Sequence, residues 1–175
     1  NRGTLGGSLA HADPAADYPA TLVALDASVQ LHGPNGARSV AASDFFQGLF
    51  TVDLGADEII TGIRFAPAKV AAYAKLYQRA SRFAVVGVAA VLEVSDGTIA
   101  SARLGLTGAS THATRMAASE AALAGTAATP EATAEALGDP GAAVGDVNDD
   151  LHASEGYRRA MVSGFTRRAV AAALA

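Results

Sequence analysis

An α+β fold with antiparallel sheets is what this sequence predicts, on three observations. Two turn signatures, Gly33-Pro34-Asn35-Gly36 and Asp96-Gly97, each lie between short runs of alternating or β-branched residues, as in hairpins of adjacent antiparallel strands. Helix start and stop signals cluster elsewhere, chiefly Thr129-Pro130-Glu131 and then Gly138. Near the C-terminus Tyr157, Met161 and Phe165 recur every four residues, the spacing of one helix face.

In chain order, Thr4-Leu5-Gly6-Gly7-Ser8 reads as a loop able to lie flat against a phosphate or a sugar. Glycines leave no Cβ in the way, and hydroxyls and amides donate hydrogen bonds. The string has neither the Rossmann glycine spacing nor the Walker lysine, so a plain turn before a helix stays open. Asp13-Pro14 reads as a tight turn and Asp17 as an N-cap, with Pro19 in the first turn of a helix from Tyr18 to Asp26. Ala27 to His32 and Ala37 to Val40 form the first hairpin, and Asp44 to Phe50 a short helical or irregular piece. Glu58 to Phe65 reads as a strand with Ile59, Ile63 and Phe65 on one face. Ala66-Pro67-Ala68-Lys69 is the candidate linker. Beyond it Tyr73 to Arg79, Val85 to Val94 and Ile99 to Leu106 read as three strands. Alanine content also allows a helix over Phe83 to Val94, but the valines and the following Asp-Gly favour strand. The remainder is helical, with Ser154 capping the last helix and a Gly-, Asp- and Asn-rich loop over Gly138 to Asp150.

Composition narrows the function. The 175 residues suffice for one domain or two small ones. Half of them are apolar, but many are alanine and only 6% are aromatic, which predicts modest cores and close helix or subunit contacts. A net charge of −4 without a basic stripe argues against nucleic acid and against an anionic membrane surface. The longest apolar runs are too short for a membrane span. With no cysteine, disulfides and cysteine-ligated zinc or iron–sulfur centres are excluded from this chain, which fits a cytoplasmic protein.

The string TLGGSLAHADPAADYPA resembles the second flavin-binding loop of the FAD subunits of molybdenum hydroxylases, with aerobic carbon monoxide dehydrogenase medium subunits nearest and the xanthine dehydrogenase FAD domain more distant. The likeness continues in order through GPNGARSVAASDFFQGLF, DEIITGIRF, YAKLYQRASRFAVVGVAAVLE, SARLGLTGASTHATR and YRRAMVSGFTRRAV. It implies the C-terminal part of a PCMH-type FAD-binding domain over 1–66. A CO-dehydrogenase-flavoprotein C-terminal domain, a three-stranded antiparallel sheet plus helices, follows over 67–175. It also implies that the family's first glycine-rich loop lies upstream of this chain.

By the same resemblance, Thr4, Gly6, Gly7 and Ser8 run along the FAD phosphates and ribitol, and relatives often have Asn at the Ser8 position. Asp17 matches a cofactor-bonding carboxylate, which leaves cap and ligand both open. Ile60 matches an apolar residue whose backbone lies beside the ring, against the alternative of a buried strand residue. Lys75 and Gln78 match positions of basic residues reaching the flavin, and Phe83 an aromatic near the ring. Many relatives have Asp where this chain has Arg82; positive charge there would raise the flavin reduction potential. The implied partners are an iron–sulfur subunit with two [2Fe-2S] clusters and a large subunit with molybdenum–cytosine dinucleotide, in a dimerised heterotrimer.

Other patterns are weaker. Ser8, His11 and Asp13 have the residue types of a hydrolase triad but not the nucleophile elbow. His11, Asp13 and Asp17 crowd a proline turn without metal-ligand spacing. Arg158, Arg159, Arg167 and Arg168 read as a solvated or interface face. The alternative function is a cofactor-free module that docks the iron–sulfur subunit.

Overall fold

In a computed structural model that describes residues 3–175, the first element is a short helix where a flat loop is expected. Helix α1 spans Leu5–His11, and the Thr4 hydroxyl caps it by accepting from Gly7 N at 3.0 Å. The two glycines occupy its first turn. Ala12, at φ 50°, ends the helix.

Helix α2 spans Asp17–Ala24, with Ala16 at the N-cap position. Asp17 is the first helical residue and makes no capping bond, so the expected cap role fails. Its carboxylate is drawn away to Tyr73 and Lys75, which satisfy it better than a backbone amide does.

Strands β1 (Ser28–Gly33) and β2 (Gly36–Ala41) form the expected hairpin, closing at the Gly33–Gly36 pair. Helix α3 (Ala42–Phe45) and the short strands β3 (Phe46–Gly48) and β4 (Thr51–Val52) follow. Strand β5 (Ile59–Arg64) adds to β1, giving the order β2-β1-β5. Here the expected face is wrong. Gln30 pairs Gly62 and Leu31 pairs Ile60, so Thr61 is an extra residue that resets the alternation. Ile60 and Ile63 therefore pack on the core of Leu9, Leu22, Val29, Leu31 and Phe45, whereas Ile59 and Phe65 face outward.

The second sheet contains β6 (Val70–Tyr77), β7 (Ala84–Ser95) and β8 (Thr98–Thr107), and a two-residue strand, β9 (Thr114–Arg115), extends the expected three. Along β7 the even-numbered Val86, Val88, Ala90 and Leu92 join Leu104 and Leu106 in one core. That core is covered by α4 (Ala117–Leu123), α5 (Pro130–Leu137) and the long α6 (Glu155–Leu174). It is larger than the alanine content predicts, because the aliphatic residues are concentrated on this face. The odd-numbered side carries Gly87, Ala89 and Val91 and packs against α2.

Helix α6 is capped by Ser154 as expected, but its buried face differs. Val162, Phe165, Thr166, Ala169 and Val170 face the sheet, while Tyr157 is half exposed. Arg158, expected on a solvated or interface face, is only 3% exposed. It donates to Val85 O at 2.7 Å, Gly108 O at 2.8 Å and both oxygens of Asp150 at 2.8 Å. Arg159 gathers the carbonyls of Gly141, Val144 and Gly145, and Arg167 donates to Gly138 O. These arginines pin the glycine-rich loop, a long-range role that helical spacing does not show.

Candidate functional site

The segment Pro14–Asp17 crosses the end of the second sheet and leads into α2, which lies on β7 and β8. Thr107 Oγ1 lies 2.8 Å from both Pro14 O and Ala16 O. Gly108 N donates to Pro14 O at 2.7 Å and Ala84 N to Ala15 O at 3.1 Å. Four bonds on three residues, Pro14, Ala15 and Ala16, fix this turn and with it the start of α2.

Asp17 sits at the fixed point. Its Oδ1 accepts from Tyr73 Oη at 2.6 Å and its Oδ2 from Lys75 Nζ at 2.7 Å. Burial and the adjacent carboxylate both push the Tyr73 phenol well above its ordinary range, so it keeps its proton and acts as donor. Lys75 Nζ also donates to Arg82 O at 3.0 Å, tying Asp17 to the β6–β7 loop. Within that loop the Gln78 side-chain oxygen accepts from Ala80 N and Ser81 N at 2.7 Å each. Gln78 thus braces the loop from within. Arg82, at φ 66°, is held in the left-handed region with its guanidinium 5.0 Å from the Tyr77 ring centre.

A shallow cavity of about 330 Å³ opens here, lined by Ser8, Asp17, Tyr18, Ser81, Arg82 and Phe83 among others. Tyr18 and Phe83 remain 55% and 46% exposed, so two aromatic side chains stand at one opening. Gly6 lies beside Ile60: a Cβ on Gly6 would stand 3.9 Å from Ile60 Cγ2. Ile60 is half-buried on the first core, as the strand reading expects. The structure thus brings Ser8, Asp17 and Phe83 to one opening, with Lys75 behind Asp17, Gln78 behind Phe83, and Thr4, Gly6, Gly7 and Ile60 along α1.

Tyr73, Gly87 and Thr107 were not among the residues singled out from sequence. The signal for Tyr73 was available: Tyr73, Lys75 and Tyr77 share one face of β6 by period-two alternation. Thr107 and Gly87 depend on a distant segment crossing the sheet, which no local pattern encodes. His11 stacks on Phe50 with ring centres 5.2 Å apart. Asp13 accepts from Ala15 N within its own turn. Among the described residues, no group of three or more His, Asp or Glu side chains is placed to hold a metal ion. Among the same residues, no helix is long and apolar enough to cross a membrane.

Residues 1–69 match the FAD binding domain in molybdopterin dehydrogenase, and residues 71–173 the CO dehydrogenase flavoprotein C-terminal domain. The carbon monoxide dehydrogenase medium chain of Hydrogenophaga pseudoflava is 36% identical over 178 residues, covering 100% of this chain and 62% of that one. The nicotine 6-hydroxylase medium subunit of Paenarthrobacter nicotinovorans is also 36% identical, covering 97% and 60%. A solved carbon monoxide dehydrogenase from Hydrogenophaga pseudoflava, lacking the Mo-pyranopterin moiety of its molybdenum cofactor, superposes with a TM-score of 0.91. Its identity is 39%, over 99% of this chain and 61% of that one. The chain spans about three fifths of the length of these relatives. With more than half of it matched by the C-terminal domain and most of the rest by the FAD-binding domain, the chain belongs to the CO dehydrogenase flavoprotein family.

Proposed function

We propose that this chain forms one wall of an FAD site in the flavoprotein subunit of a molybdenum hydroxylase. The observation that carries the proposal is the convergence of Ser8, Asp17, Tyr18 and Phe83 on one opening, in a chain whose first 69 residues match an FAD binding domain.

The residues fit the group chemically. The hydroxyls of Thr4 and Ser8 suit phosphate and ribitol oxygens, and Gly6 and Gly7 let the backbone of α1 come close to them, with Gly7 N and Ser8 N already bonded to Thr4. The Asp17 carboxylate suits sugar hydroxyls. Tyr18 and Phe83 offer apolar cover to a flat ring, and Ile60 lies alongside Gly6. The cavity is near the lower end of the roughly 300–1,000 Å³ range of ligand pockets, the size of a ring and its first chain atoms. Lys75 and Gln78 act one step back, through Asp17 and the Arg82 loop.

When bound, FAD supplies the redox chemistry and the protein binds, orients and tunes it. No side chain here needs to serve as acid or base. In the assembled enzyme, electrons arrive from [2Fe-2S] clusters of a small subunit and leave to an external acceptor. Substrate is oxidised at a molybdenum–cytosine dinucleotide in a large subunit. We place this complex in the cytoplasm as a dimerised heterotrimer. The substrate is set in another chain, consistent with relatives named for carbon monoxide and for nicotine.

The test is flavin absorbance near roughly 450 nm in the purified full-length protein that carries this chain. The expected result is a yellow protein that loses its colour when Asp17 and Ser8 are both replaced by Ala. A colourless protein that still binds an iron–sulfur subunit overturns the flavin reading in favour of a docking module without cofactor.

A further inference from the structure

We infer that Tyr73 is a positioning residue for the cofactor site, holding the Asp17 carboxylate toward a hydroxyl-bearing ligand, and that position 87 is glycine to admit the tyrosine hydroxyl. The inference rests on the flavin reading for the identity of that ligand.

A carboxylate offers about four lone-pair sites. Tyr73 takes one on Oδ1 and Lys75 one on Oδ2, which leaves one on each oxygen. The Asp17 side chain is 43% exposed and lines the cavity beside Ser8, Tyr18 and Phe83. It is therefore anchored from behind by two donors and open in front. Lys75 alone would not fix it, since an ammonium on a flexible stem acts as a point charge. The Tyr73 phenol is rigid and directional, and its ring is clamped between sheet and helix.

Glycine makes this reach possible. Gly87 pairs with Lys75 on one side and Thr107 on the other, one row along from Tyr73, Ala89 and Gly105. The tyrosine leans along the sheet across Gly87. A Cβ at residue 87 would stand 2.2 Å from Tyr73 Oη, 3.0 Å from its Cζ and 2.9 Å from Thr107 Cγ2. Any side chain there pushes the hydroxyl off Asp17. Thr107, in the same row, bonds the carbonyls of Pro14 and Ala16. The face beneath α2 is thus shaped to place one carboxylate.

The experiment measures FAD dissociation constants by fluorescence in the full-length protein for Tyr73→Phe, Gly87→Ala and the double variant. A hydrogen bond to a charged group predicts about tenfold weaker FAD for Tyr73→Phe, with Gly87→Ala similar. The double variant should be little worse than either single one, because both remove the same contact. An unchanged constant in Tyr73→Phe, with only the apo-protein thermal transition lowered, would make the tyrosine merely structural and overturn the inference. Additive losses would overturn the link to Gly87.

Ultraviolet titration of the tyrosines in apo-protein reads the pair without FAD. Asp17→Asn should bring the highest-titrating tyrosine down, and an unmoved titration would break the Tyr73–Asp17 link outright. If the wild-type protein binds no FAD while this titration does shift, the flavin reading fails and the link stands.

Discussion

The two faces of the β6–β9 sheet solve opposite problems with alternate residues of the same strands. The face toward α6 buries branched aliphatic side chains, Val86, Val88, Leu104 and Leu106, against Val162, Phe165 and Val170. The face toward α2 carries Gly87, Ala89 and Gly105, and the backbone of α2 comes down almost onto the strands. A Cβ on Gly105 would stand 2.0 Å from Ala20 O. One face is filled to generate stability and the other is emptied to bring a distant segment close. The second face carries the candidate site because a backbone resting on a sheet positions Asp17 more tightly than packed side chains would.

Neighbours on β8 give the sharpest way to break this contrast. Leu104→Ala on the filled face should cost about 4 kcal/mol, through lost burial and a residual cavity. Gly105→Ala on the emptied face adds one carbon, yet should cost about 2 kcal/mol or more, because the atom it meets is backbone. Chemical denaturation of both variants checks this. Their consequences should also separate: Gly105→Ala weakens FAD binding in the folded protein by lifting α2, whereas Leu104→Ala leaves it unchanged. Equal effects on FAD would erase the distinction between the faces.

Much of this was legible in the sequence where the cause is local. The hairpin at Gly33–Gly36, the Asp96-Gly97 turn, the Thr129 and Ser154 caps and the strand over Ala84–Ser95 all follow from nearby residues. What escaped has a long-range cause. The extra residue at Thr61 inverts a face because β1 and β5 meet out of step. Asp17 leaves its cap because two donors wait on a strand more than fifty residues away. Arg158 is buried because strand-end carbonyls and Asp150 receive it, against every expectation for an arginine on a helix. For the site, motif resemblance picked Ser8, Asp17 and Phe83, which line one opening. It passed over Tyr73, whose role appears only when β6 lies beneath α2.

A smaller effect is expected where the emptied face reaches the cavity. Arg82 holds a left-handed backbone at φ 66° and lines the opening. Asp adopts that conformation more readily than Arg, so Arg82→Asp should not harm the fold. It removes one positive charge and adds one negative charge at the opening where the flavin ring is proposed to sit. Reduction adds electrons there, so the flavin potential should fall, by on the order of 30 mV, or ~1.4 kcal/mol for a two-electron couple. An unchanged or higher potential in the holo-protein would show that the charge does not sense the ring.

The smallest expected effect is an acid sensitivity confined to the filled face. Burial tends to raise the Asp150 carboxyl, but bonds from His152 N, Arg158 and Ala153 N outweigh it and hold the group below its ordinary range. A carboxyl with a depressed folded value stabilises the protein above its unfolded value, and that contribution fades as pH falls through the folded value. The loss therefore begins just below pH of about 4, the ordinary Asp range. It frees Arg158 from its counter-charge beside the carbonyls of Val85 and Gly108. Hydrogen exchange should then quicken first in the opening turns of α6, while α2 amides hold. Asp150→Asn keeps an acceptor for the loop amides and removes the proton-dependent part, so its α6 exchange should be faster at neutral pH and flatter in acid. An acid response in α6 identical to wild type would mean that the two faces loosen together and that Arg158 does not set the stability of its side.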